Sequence, residues 1–388
     1  MIPVKVRIGR PVWMVLAALG LVLALLASWA LLRPVRTPAP TATSKPAAST
    51  GVAPQGAAVP PTATTTGSGA GASAPRATGR VLPVPGGAAA PAGGGPANTL
   101  RGCPNLPAND IWHADVSRLA VASGSAAYIS SIGASKGVHA DFGAGDFDGG
   151  PIGIPVTYVG AGQAKVAVSF DYDDESDPGP YPIPANALVE GGPNADGDRH
   201  VLVVDTAACR LYELFDAHPN GNGSWHAGAG AVYDLRGHNL RPAGWTSADA
   251  AGLPLVPGLV RYEEVAAGRI DHAIRVTVPR SQSRYLWPAR HAASSSSDAS
   301  LPPMGLRLRL KSSVNIASLP PQARIVAQAM KTYGVIVADN GSGWFISGAP
   351  DPHWNNDALA ALGSLTGTDF EAVDTAPLMV NPNSSQSR

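Results

Sequence analysis

Charge is scarce in this chain. Asp, Glu, Lys and Arg make up 14% of its 388 residues, against a usual ~25%. Acid is missing altogether from residues 1–109, which hold nine of the 28 Lys and Arg and none of the 28 Asp and Glu. The net charge of zero is therefore a cancellation between a basic N-terminal stretch and an acidic remainder. An acidic remainder lacks the basic surplus that phosphate neutralisation needs, which argues against nucleic acid as the main partner. Cysteine is almost absent. The two present, Cys103 and Cys209, form no C-x-x-C, so a zinc ribbon or a thioredoxin-like site is excluded. Also missing are G-x-S-x-G, H-E-x-x-H, a P-loop and a strand-to-helix G-x-G-x-x-G, which removes the usual hydrolase, metalloprotease and nucleotide signatures.

What is present divides by position. Lys5, Arg7 and Arg10 precede an uncharged run from Val12 to Leu32. A helix of that length spans a ~30 Å bilayer core, and leading basic residues favour a cytoplasmic N-terminus. Residues 1–33 therefore read as a signal anchor, or as a signal peptide cleaved near Ser28-Trp29-Ala30. Either places the rest outside the cytoplasm: anchored in the inner membrane and facing the periplasm or exterior, or secreted. Residues 34–102 read as a disordered Pro/Ala/Thr/Gly linker. They hold no aromatic and no acidic residue, so ordering entropy has no apolar burial to offset it. Residues 103–379 read as a globular β-rich domain and residues 380–388 as a disordered tail.

The globular part alternates in short apolar runs. Candidate strands are 154–159, 164–170, 200–205, 211–216, 259–264, 270–278, 306–311, 335–338 and 344–347. Leu306, Leu308 and Leu310 alternate with Arg307, Arg309 and Lys311, the pattern of a strand with one wet face. Asp339-Asn340-Gly341 reads as a hairpin turn. Helices are expected after Pro320-Pro321, ending at Gly334, and over about 356–362 and 123–132. The fold class expected is mainly β, an antiparallel sandwich-like single domain with one or two packed helices. In an exported chain Cys103 and Cys209 are expected to form one disulfide, the alternative being two buried thiols.

Polar clusters mark the candidate chemistry. Asp171, Asp173 and Glu175 share one face if their strand continues, and hard oxygen ligands in a loop suit Ca²⁺; a solvated acidic loop is the competing reading. Asp174, Glu175, Glu190, Asp249 and Glu263 are the carboxylates available for acid–base work, with His272 or His291 as proton shuttles. Trp245 and Trp344 are candidate stacking platforms for a sugar ring, and Arg261 or Arg290 could hold an acidic sugar. One pocket is expected to join the Trp245–Asp249 loop, His272 and the Arg290–His291 segment.

Seven segments occur in a recognisable order. They are Trp112-His113-Ala114-Asp115-Val116, the run from Asp174 to Pro184, Gly197-Asp198-Arg199-His200, the run from Arg241 to Gly252, the run from Ile270 to Arg275, Leu301-Pro302-Pro303-Met304-Gly305, and the stretch from Asp339 to Pro352. This string resembles a family of uncharacterised secreted bacterial proteins and covers nearly all of residues 103–379. The resemblance implies a single domain and transfers no catalytic residue. The functional expectation rests on the residues alone: an extracytoplasmic carbohydrate-active protein, a glycoside hydrolase or polysaccharide lyase acting on polysaccharide or cell-wall glycan. The alternatives are a non-catalytic glycan- or surface-binding module and a structural envelope protein.

Overall fold

The computed structural model describes residues 99–388, which fall within one compact unit. The expected anchor and nearly all of the expected linker lie outside the described residues. Among the described residues no helix is long and apolar enough to cross a membrane.

The domain is mainly β, with several sheets and few helices. In chain order the strands that build its larger sheets are β1 (His139–Asp141), β2 (Val156–Val159), β3 (Val168–Phe170), β4 (Val201–Asp205), β5 (Arg210–Phe215), β6 (His218–Pro219), β7 (Trp225–Ala227), β8 (Ala229–Asp234), β9 (Ile274–Val278), β10 (Arg307–Leu310), β11 (Val335–Asn340), β12 (Phe345–Ser347) and β13 (Phe370–Val373). A six-stranded sheet runs β13-β10-β11-β9-β12-β1, a four-stranded sheet β8-β5-β4-β2, and a three-stranded sheet β6-β7-β3. Residues of the first two, such as Val276, Val337, Leu202 and Leu211, share one hydrophobic core. A smaller core joins Tyr181, Val201, Val203, Tyr212 and Trp225.

The sheets are mixed, not purely antiparallel. β9 and β11 run parallel, as do β12 and β1, β2 and β4, and β7 and β3. The hairpin expected at Asp339-Asn340-Gly341 does not form, because β9 inserts between β11 and β12. The wet face expected for residues 306–311 is also corrected. Arg307 is buried and donates to the carbonyls of Tyr333 and Ile111. The segment 259–264 is no strand: it leads into a short helix that begins at Tyr262.

The helices are α1 (Ser125–Ile132), α2 (Tyr262–Ala266), α3 (Pro321–Thr332) and α4 (Asn356–Ala360). Pro321 opens α3, where a missing N–H costs nothing. Its buried face is Ala323, Val326, Ala327, Ala329 and Met330. Ile325 and Tyr333 are only half-buried. Gly334 ends the helix with φ +71°, and an added Cβ there would meet the Leu308 carbonyl at 2.3 Å.

Cys103 and Cys209 are bonded, with Cα atoms 5.3 Å apart and a sequence separation of 106. The bond ties the start of the domain to the turn between β4 and β5. The domain begins slightly before Cys103, since Thr99–Leu100 pairs with Cys103–Pro104. Replacing both cysteines by alanine is expected to cost about 2–5 kcal/mol of unfolding free energy, by constraint of the unfolded chain. Denaturant melts of the two forms check this; coincident midpoints would refute it.

The expected disordered tail is a correction. Residues 380–388 strap back onto the domain, with bridges from Ser384 to Asn239, Gln386 to Asp110 and Ser387 to Met379. Ser385 is buried and donates to the Asp110 carboxylate. Buried backbone needs partners, and Arg290 and Trp287 supply two by donating to the carbonyls of Pro382 and Ser384.

Candidate functional site

Several residues singled out in the sequence are already committed to internal bonds. Asp249 is fully buried, and its two oxygens accept from Arg275 Nε and Nη2 at 2.8 and 2.9 Å. Arg275 also donates to Asp339 at 3.0 Å and to Ser347 Oγ at 2.8 Å. His272 turns to Glu264, 3.1 Å from Nε2, and to the carbonyl of Ala273. Glu264, rather than its neighbour Glu263, is the buried acid. As the third residue of α2 it accepts from Arg261 N at 3.2 Å and pairs with the Arg261 guanidinium. Glu263 points outward, with its side chain 58% exposed, and touches Arg261 Nε at 3.2 Å.

The expected pocket forms only in part. The Trp245–Asp249 loop and the Arg290–His291 segment do meet: Gly244 N donates to Arg290 O, and Arg290 N and His291 N donate to Ala251 O. His291 Nδ1 bonds the Ala250 carbonyl. The bonds of His272 go elsewhere. Arg290 is no free cation, since it donates to Arg241 O, Pro382 O and Asn383 Oδ1. Trp344 is no platform. It is buried, donates to Gly133 O and packs on Phe370 at 4.8 Å between ring centroids. Trp245 stays half-buried beneath the Arg241 guanidinium.

The acidic loop does not gather. Asp171 lies 3.2 Å from His226, Asp173 and Asp174 are exposed on a short 3-10 turn, and Glu175 accepts from Thr246 N at 2.9 Å. Among the described residues no group of three or more His, Cys, Asp or Glu is arranged to hold a metal ion. The Ca²⁺ expectation at Asp171, Asp173 and Glu175 thus finds no support in the geometry.

A different constellation surrounds Arg275. Arg275 on β9, Ser347 on β12 and Asp141 on β1 stand in one row across the six-stranded sheet. Neighbours in a row project to the same face. Glu190 reaches the same region from its loop, close enough that its charge and that of Arg275 both act on Asp141. Asp141 is solvent-exposed and the Glu190 side chain is 26% exposed. The Glu190 Oε2 contacts His200 Nδ1 at 2.5 Å and accepts from His200 N at 3.3 Å, while His200 Nε2 faces the Ala248 carbonyl at 2.9 Å.

The electrostatics of this cluster separate its carboxyls. Although the residue keeps a solvent-facing surface, the groups packed around the Asp141 carboxyl partly desolvate it and push it up, and the Glu190 charge adds to that against His139 and Arg275. Burial also opposes the charge on Glu190, but the His200 imidazolium outweighs it and holds the carboxyl below its usual range. Burial disfavours the charge on His200, yet Glu190 lifts the imidazole to about 9. Asp339 is raised to about 7 by burial and by Asp249, against the pull of Arg275. Asp141 is thus pushed up and Glu190 pulled down, the kind of divergence that separates acid from base roles.

Glu190, with His200 beside it, and Asp249 are the members of this group that the sequence singles out; Asp141 and Asp339 are not among its candidates. Asp141 sits in a short strand with no distinctive pattern, and Asp339 carries turn chemistry inside a strand. No local signal could have found them. A groove of about 780 Å³ elsewhere, along α3 and lined by Arg269, Asp271, Arg324, Lys331 and Tyr333, contains none of the predicted site residues. No family model, no curated protein and no solved structure matches this chain.

Proposed function

We propose that the domain is an extracytoplasmic carbohydrate-active enzyme, a glycoside hydrolase whose acid and base are Asp141 and Glu190. The observation that carries this reading is the opposite displacement of two carboxyls near Arg275 that both keep solvent-facing surface. Asp141, the carboxyl pushed up, is the proton donor to the departing glycosidic oxygen. Glu190, held ionised by His200, activates water or attacks the anomeric carbon; carboxyl separation decides between the two. Both its contacts to His200 fall on Oε2, so the acceptor work is assigned to Oε1. Arg275, fixed by Asp249 and Asp339, sets a constant positive charge behind the pair.

We read the four- and six-stranded sheets, which share a core, as the layers of a sandwich-like scaffold. The apolar run at residues 12–32 supports export, so the substrate class is polysaccharide or cell-wall glycan met outside the cytoplasm. The purified protein is to be incubated with a panel of neutral and acidic polysaccharides, with new reducing ends measured. Release from one class is the expected result. Binding without release would assign the domain to a glycan-binding module, and neither would end the carbohydrate reading.

A further inference from the structure

The three-stranded sheet carries a second arrangement of chemical groups. β3 and β7 run parallel with Ser169 level with His226. Asp171 follows Ser169 by two residues, and along an extended chain such side chains rise on one face. The imidazole of His226 lies between them. Ser169 Oγ is 3.1 Å from Nδ1, and Asp171 Oδ1 is 3.2 Å from Nε2. The two contacts fall on opposite ring nitrogens. A carboxylate beside Nε2 favours the tautomer with its proton there. That leaves the Nδ1 lone pair facing the serine hydroxyl, the arrangement of nucleophile, base and orienting acid.

The strands beneath are fixed. Asp171 N and Tyr172 N donate to Ala227 O and Gly228 O, and Trp225 and Ala227 flank His226 as buried core residues. The chemical groups remain open to solvent. Ser169 is exposed, and the side chains of His226 and Asp171 are 42% and 59% exposed. Hydrogen bonds of catalytic groups are often long until substrate binds, so the 3.2 Å contact fits the role.

We propose that Ser169, His226 and Asp171 form an esterase relay that removes small acyl groups from sugar hydroxyls. Ser169 Oγ bonds to the ester carbonyl carbon while its proton moves to His226 Nδ1. The bond from that carbon to the sugar oxygen breaks, and the oxygen takes the proton from Nδ1. Water then attacks the acyl-serine, giving its proton to Nδ1. The bond to Ser169 Oγ breaks, the proton returns to the serine, and a carboxylic acid leaves. The open surface suits an acyl group displayed on a polymer, and the 54% exposed ring of Tyr172 beside Asp171 offers a face for a sugar. The sugar part of this assignment rests on the carbohydrate reading above; the nucleophile does not.

The full-length protein is to be treated with a biotinylated fluorophosphonate and mapped by peptide mass spectrometry, and assayed on p-nitrophenyl acetate and acetylated xylan. Labelling of Ser169 is expected. Ester turnover should vanish in Ser169→Ala, fall by about 10²–10⁴ in His226→Ala, the scale of a lost general base, and fall in Asp171→Asn, which loses the charge that orients the imidazole. Acetate release from xylan should fall in parallel. All three side chains are exposed, so unchanged melting curves will show that the variants fold. No label on Ser169, or turnover unchanged in Ser169→Ala, overturns the relay. Label and turnover without acetate from xylan overturn the sugar assignment. Reducing ends measured in the same digest keep failure here distinct from failure of the glycosidase.

Discussion

Asp249→Ala is expected to destabilise the domain by about 3–5 kcal/mol, because it leaves the Arg275 guanidinium buried without its bidentate partner. Asp249 is fully buried, and both its oxygens are taken by Arg275. Asp339 and Ser347 hold the remaining guanidinium contacts, each through a single bond, so they replace only part of the lost bidentate pair. A loss of that size lowers the melting midpoint by roughly 6–20 °C for a domain of this scale. Asp249→Asn should fall between the two, since it keeps the shape and loses the charge. Adding Arg275→Met to Asp249→Ala should restore part of the loss, because the stranded charge goes with it. A midpoint within 1–2 °C of the parent, together with lost activity, would return Asp249 to the catalytic list on which the sequence placed it. Thermal melts of the three variants decide the matter.

Glu190→Gln and Asp141→Asn are each expected to cut kcat/KM on the responsive polysaccharide by about 10²–10⁴, the range for a lost general acid or base. The pH profile distinguishes the two. Activity in the parent should rise as Glu190 ionises, below the usual carboxylate range, and fall as Asp141 loses its proton, above that range. Glu190→Gln removes the acid limb and Asp141→Asn the alkaline one. Stability gives an independent reading of Glu190. The folded pKa of His200, about 9, lies above its ordinary 6.5. Its contribution is therefore complete below about pH 6.5 and disappears as pH rises through 9. Glu190→Gln should abolish that alkaline decline. It should keep the decline between about pH 4 and 7, where Asp339 and Glu213, both raised to about 7 chiefly by burial, are ionised in the unfolded chain and still protonated in the folded one. An unchanged activity profile in both variants would end the acid–base assignment, whatever the melts show.

The sequence by itself determined what local chemistry controls. Pro320-Pro321, a 3.6-residue apolar spacing and Gly334 set both ends of α3, because proline and glycine act on their own backbone positions. A chain with two cysteines allowed one internal pairing, and the structure contains it. Alternating apolar runs announced a β-rich domain. Partner choice was another matter. Nothing local says that β9 lies between β11 and β12, so the turn-forming residues near Asp339 suggested a hairpin that the sheet order does not contain. Nothing local says which side of β10 is covered, so Arg307 looked wet when it is buried. The choice of Glu264 over Glu263 came from one step of helical rotation, which turned one acid under Arg261 and His272 and its neighbour to water. Asp141 meets the field of Glu190, and Ser169 meets His226, across separations of about 50 residues. Such encounters depend on register between distant strands, which is settled by the packing of whole faces rather than by the residues that meet.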